Sequence, residues 1–172
     1  MSEHSLLTRR RRYALVSLSR RATGALVELA CGDALGRPVE FRSSDAVSLD
    51  HGRVTEMLAR SLVDRGEFAP TDVALRFADW LAADPFDVGL LTAEAVHGYH
   101  HAETPADAAR TAWEARPEAQ SAGNGSLMRY LPPALVYDDR LRLAERTAAV
   151  SALTHADPRC VESCVALTRV VR

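Results

Sequence analysis

Apolar residues in this chain recur three and four positions apart almost from end to end, and no run alternates apolar with polar residues as a half-buried strand would. That periodicity predicts an all-α fold. A first long helix is expected over residues 7–35, with a possible break near Arg20, with Ala25, Leu26, Leu29 and Ala30 toward the core and with Gly32 and Gly36 ending it in a tight loop. A second fits residues 54–64 and is closed by Gly66 in the left-handed conformation beyond its end. A third opens at Thr71 after Pro70 and carries Val73, Leu75, Phe77, Trp80 and Leu81, and Asp87 caps a fourth through His101. Thr104-Pro105-Ala106-Asp107 is a start signal, with Thr104 as cap, Pro105 in the first turn and Asp107 reaching back, for the helix that holds Trp113. After a glycine loop at residues 123–125 comes a short apolar helix stopped by Pro132 and Pro133, then one over residues 139–153, and Asp157-Pro158 starts the last.

Composition bounds what such a bundle can be. The chain has 172 residues, 47% of them hydrophobic, which fits one domain with no internal repeat or linker. A domain of this size hides about 70% of the surface its unfolded chain exposes, so neither a disulfide nor a structural metal is required. No stretch reaches the ~20 consecutive apolar residues of a membrane span, and residues 1–12 are polar and basic without a signal-peptide core, so a cytoplasmic location is expected. The formal net charge of −2 excludes the basic field that drives nucleic-acid binding. All 21 basic residues are arginine, the mark of a GC-rich coding bias. Three cysteines, Cys31, Cys160 and Cys164, form an odd set expected to be free thiols in a reducing compartment. Cys160 and Cys164 stand four apart among apolar neighbours, as core residues do.

Three segments are more particular than generic helix. One is Gly24-Ala25-Leu26 followed by the run from Cys31 through Gly32, Asp33, Gly36 and Glu40 to Phe41. The second is Ser121-Ala122-Gly123-Asn124-Gly125-Ser126-Leu127-Met128-Arg129, a glycine loop whose backbone N–H groups suit a phosphate or diphosphate. The third is Ser151-Ala152-Leu153-Thr154-His155-Ala156-Asp157-Pro158-Arg159. In this order, from about residue 21 to 170, they resemble the ADP-ribosylglycohydrolase family; residues 61–68, 77–81 and 84–89 look like its helical connectors. The resemblance implies an orthogonal multi-helix bundle that binds ADP-ribose and hydrolyses the bond at the ribose anomeric carbon, with a magnesium pair as the usual cofactor. On this reading residues 21–172 form a partial domain lacking the C-terminal part of the fold, and residues 1–20 form a basic, helical extension.

The chain departs from the family pattern where the metals bind. Aligning Thr55-Glu56-Met57 with the end of the family's Thr-Asp-Asp-Thr motif puts Gly52, Arg53 and Val54 in place of its first three residues, and the C-terminal Asp-x-Asp-Thr motif is absent. The expectation is therefore no magnesium pair, no metal ligand in the chain, and hydrolysis lowered by about a thousandfold or more. What the resemblance carries over is the other side of the site. Glu40 matches a carboxylate that approaches the ribose and orders water. Gly123, Asn124, Gly125 and Ser126 match the loop along the diphosphate and distal ribose, and His155 matches a histidine at the site margin. Asp33 stays open between a structural helix-end acid and a catalytic partner of Glu40.

His97, His100 and His101 share a helical turn but lack a further ligand for zinc, and Arg9 to Arg12 read as a solvated basic start. Three functions stand. The first is a family member that binds ADP-ribose or a related nucleotide sugar with metal-dependent hydrolysis lost. The second is a repurposed, metal-independent enzyme using Glu40 as acid or base on another small molecule, and the third a non-catalytic helical interaction protein. The expected partners are a small molecule and a second copy of the chain. The apolar helices of Leu26, Leu153 and Val165 are the faces expected to need that second copy, with Tyr13, Leu15, Val16 and Leu18 as the covering element.

Overall fold

A computed structural model describes residues 18–40, 50–85 and 88–171. They contain eight α-helices, two single 3₁₀ turns and no strand, which is the all-α architecture the periodicity demands. The described residues fall into two units, and the first consists of α1 (Leu18–Glu40) alone. This helix runs through Gly32 and Gly36 to Glu40 instead of ending in a tight loop at the glycines. A glycine inside a helix costs about 1 kcal/mol against alanine, which weakens a helix without obliging it to stop. Ala25, Leu26 and Leu29 are only half-buried. The side chains of Asp33 and Glu40, the whole of residues 1–17 with Tyr13, Leu15 and Val16, and the cap residue Asp87 lie outside the described residues.

The second unit holds α2 (Asp50–Arg65), α3 (Pro70–Ala82), α4 (Leu90–Gly98), α5 (Pro105–Glu114), α6 (Leu131–Val136), α7 (Arg140–Ser151) and α8 (Pro158–Val171). Its core is assembled from Val54, Leu58 and Leu62 of α2, Val73, Phe77 and Trp80 of α3, Val96 of α4, and Leu143 and Val150 of α7, with Leu153 beyond. Leu75 of α3 faces outward, since it stands about 100° per residue away from the stripe that Val73 and Phe77 define. Leu153 is 1% exposed, so this chain covers its own Leu153, contrary to the expectation that it needs a second copy; Val165 is half-buried.

Local chemistry sets most boundaries. Gly66 adopts φ +74° after α2 and its N–H donates to the Leu62 carbonyl, as the helix end requires. Helix α3 takes Pro70 as its first residue, one position before the expected start, because a proline there loses no helical hydrogen bond. The same rule overturns the expectation for Pro132 and Pro133, which open α6 in its first turn instead of stopping a helix. Asp139 accepts from the Arg142 N–H at the start of α7. At the start of α5 the Asp107 N–H donates to the Thr104 hydroxyl oxygen at 3.2 Å, and that hydroxyl donates to the Asp107 carboxylate at 2.6 Å.

No described helix is long and apolar enough to cross a membrane. Thr104→Ala removes both cap bonds and is expected to lower stability by about 1 kcal/mol, seen as a fall of about 2–4 °C in Tm. Thr104→Ser should retain most of it; equal losses for the two variants in thermal denaturation would remove the cap from the account of α5.

Candidate functional site

Four of the five residues expected to touch a ligand occupy one loop, residues 123–126, and the fifth packs against it. His155 follows α7, is 3% exposed, and lies so close to the loop that a Cβ built on Gly125 would stand 2.9 Å from its Cε1 and 3.1 Å from its Nε2. A Cβ on Gly123 would stand 3.2 Å from Nε2. The imidazole's proximity therefore calls for glycine at 125, while at 123 a side chain would press on the ring less closely. Leu91 and Thr92, in the first turn of α4, close the other side, 3.7 and 3.6 Å from those same Cβ positions.

The loop is fastened at several points. Before it, the Ser121 hydroxyl lies 3.0 Å from both the Asp157 carboxylate and the Glu118 carbonyl, with its one proton shared between these acceptors. Within it, the Cys160 thiol donates to the Gly123 carbonyl and the Cys164 thiol to the Ser126 hydroxyl, both from α8. The Asn124 carbonyl accepts from the Leu127 N–H at 2.9 Å. After it, the Thr55 hydroxyl of α2 donates to the Met128 carbonyl at 2.7 Å. The N–H groups of residues 123–126 donate to no backbone carbonyl among the described residues. Ser126 itself is 1% exposed, and its hydroxyl accepts from the Cys164 thiol.

Two charged residues, Asp157 and Arg129, organise the surroundings. Asp157 was expected only to start α8. It also accepts from the Trp113 indole N–H at 3.0 Å, from Ser121, and from Arg159 through the backbone and the guanidinium. The Arg159 guanidinium holds its carboxyl well below the usual range. An open cavity of about 490 Å³ lies beside it, lined in part by Trp113, Arg116, Glu118, Ser121, Asp157 and Arg159. Arg129 is 1% exposed. Its guanidinium donates to the Val150 and Ser151 carbonyls at the end of α7 and to the Thr154 hydroxyl, and it lies 5.5 Å from the centre of the Phe77 ring. A single arginine at the end of an apolar Leu127-Met128 step was the available signal for it.

His155 bonds the Thr154 hydroxyl through Nδ1 at 2.7 Å. Burial pushes its pKa down to about 3, with the Arg129 charge acting in the same direction, so the ring is neutral at physiological pH. Cys160 is pushed up to about 11 by burial, with the charges of Asp157 and Cys164 adding to it, and so is a protonated donor and not a nucleophile. All three cysteines are free, as their odd number implied. His97, His100 and His101 are exposed. The positions aligned with the family's metal motif begin α2: Arg53 is exposed, Val54 is 6% exposed within the core, and Thr55 is buried with its hydroxyl given to Met128. The structure therefore brings Gly123, Asn124, Gly125, Ser126 and His155 together. The helix that carries Asp33 and Glu40 belongs to the other unit.

A methyl at Gly125 meets a buried ring with nowhere to swing, so Gly125→Ala should destabilise the protein by about 1–3 kcal/mol. Gly123→Ala should cost less, because its nearest contact is 0.3 Å longer (3.2 against 2.9 Å). Thermal denaturation checks the order; a Gly125→Ala variant as stable as wild type would place His155 elsewhere.

The ADP-ribosylglycohydrolase family profile matches residues 15–172. The chain is 31% identical over 178 residues to the ADP-ribosyl-[dinitrogen reductase] glycohydrolase of Rhodospirillum rubrum, covering 90% of this chain and 58% of that protein. It is 28% identical to the ADP-ribosylarginine hydrolases Tri1 of Serratia proteamaculans (strain 568) and Pseudomonas putida (strain GB-1), in each case over 84% of this chain and 44% of the relative. The chain thus spans about half the length of the curated relatives it matches. With nearly its whole length inside the family profile, this all-α chain belongs to the ADP-ribosylglycohydrolase family.

Proposed function

We propose that the chain binds ADP-ribose or a related nucleotide sugar at the loop of residues 123–126, and that metal-dependent hydrolysis is lost. The observation that carries the binding half is the set of N–H groups from Gly123 to Ser126, unengaged by backbone carbonyls among the described residues and held in place against a neutral His155. Successive backbone donors of this kind hold an anion without requiring a cationic side chain at the contact. The relatives' names, which specify ADP-ribosyl linkages to dinitrogen reductase and to arginine, support the choice of anion.

The loss of metal chemistry is argued from donor chemistry. Magnesium takes hard oxygen ligands in near-octahedral order. At the aligned positions this chain offers a guanidinium at Arg53, a core alkyl group at Val54, and at Thr55 a hydroxyl committed to the Met128 carbonyl. Those residues do not fit the ion. What the chain's own groups do is bind and orient: the loop amides face the diphosphate, and His155 borders it.

ADP-ribose at a hundred times its Kd should stabilise the protein by about 2.7 kcal/mol, a rise of about 5–10 °C in Tm, equally with magnesium and with chelator. Gly125→Val should abolish the rise. No shift with ADP-ribose would sink the binding reading, and turnover of an ADP-ribosyl-arginine substrate that appears on adding magnesium would sink the loss of metal chemistry.

A further inference from the structure

We propose that Arg129 and Thr154 are positioning residues that fix His155 as the tautomer protonated on Nε2, so that its donor N–H faces the glycine loop. The geometry follows one proton at a time. Arginine donates and never accepts, so the Arg129 guanidinium occupies one lone pair of the Thr154 hydroxyl. That hydroxyl still has its own proton to place. Besides Arg129, the hydrogen-bonding atom that hydroxyl meets among the described residues is Nδ1 of His155. The Thr154 O–H therefore donates to Nδ1, and in a neutral ring the proton sits on Nε2. This is the nitrogen that stands 3.1 and 3.2 Å from the Cβ positions of Gly125 and Gly123.

The groups around the ring leave that arrangement unopposed. Arg129, from the turn after the loop, is the charge that acts on the imidazole and disfavours a second proton. Tyr99, just after α4, gives its hydroxyl proton to the Leu153 carbonyl. From α8, Cys160 and Cys164 donate to the loop, and the Asp157 carboxylate is taken up by Trp113, Ser121 and Arg159. The relay thus presents a neutral donor whose strength does not vary over physiological pH, suited to a phosphoryl or hydroxyl oxygen of the ligand. Only this last statement rests on the ADP-ribose reading; the tautomer does not.

Histidine-¹⁵N-labelled full-length protein tests it by long-range ¹H–¹⁵N correlation, with the His155 signals assigned by their loss in His155→Gln. The expected wild-type spectrum shows a protonated Nε2 and an acceptor-type Nδ1, unchanged as the pH falls through 6.5. Thr154→Ser should keep that pattern, whereas Thr154→Val, of similar volume but without the hydroxyl, should lose it and weaken ADP-ribose binding by roughly tenfold. A protonated Nδ1 in wild type, which needs no variant to observe, or identical His155 signals in the Ser and Val variants, overturns the relay. Wild-type protein with the Nε2 proton in place but no affinity for ADP-ribose supports the relay and overturns the ADP-ribose reading alone.

Discussion

A guanidinium withdrawn from water has to recover its hydration from fixed dipoles or opposite charges, and Arg129 recovers it from the end of a helix. Removing a partner from a buried charge costs about 3–5 kcal/mol, more than a loop of glycines can absorb. No carboxylate is bonded to Arg129 among the described residues. Its partners are the Val150 and Ser151 carbonyls, which carry the partial negative charge at the C-terminus of α7, the Thr154 hydroxyl, and the electron-rich face of Phe77. That choice ties the turn after the glycine loop to α7 on one side and to α3 on the other. Everything near the loop inherits its position from this anchor.

The same anchor explains how a loop rich in glycine can be rigid. Glycine loses more conformational freedom on folding than any other residue, so a loop such as Gly123-Asn124-Gly125 stays in one shape only if its surroundings over-determine it. Here Ser121 is held by Asp157, Gly123 and Ser126 by the two thiols of α8, and Met128 by Thr55. Each bond is worth about 0.5–1.5 kcal/mol, and together they spend the ordering cost at folding instead of at binding. Anion recognition by backbone amides depends on that, since amides that must first be arranged lose affinity to their own entropy.

The start of α2 shows the opposite trade. Thr55 and Val54 are turned into the protein, one to fasten Met128 and the other to fill the core beside Leu58 and Leu62. A carboxylate at the Val54 position would be buried among aliphatic side chains at a cost of several kcal/mol. The start of α2 therefore serves this chain as a packing element and as a clamp on the loop.

Much of the helix pattern was legible in the sequence because it depends on neighbours three or four residues away. Gly66 ended α2, Thr104 capped α5, and the stripe of Val73, Phe77 and Trp80 faced inward as its spacing required. Pro132 and Pro133 misled because a proline's effect depends on whether it falls in the first turn or later, which the sequence does not mark. The glycine loop and His155 were legible as motifs, yet their contact was not, since 30 residues and the whole of α7 separate them. Asp157 read as a cap because its local bond to the Arg159 N–H is a local signal, whereas Trp113 and Ser121 reach it from 44 and 36 residues away. The charge of Arg129 was plain; its solvation by the end of α7 exists only once the helices pack, because a helix dipole belongs to no single residue.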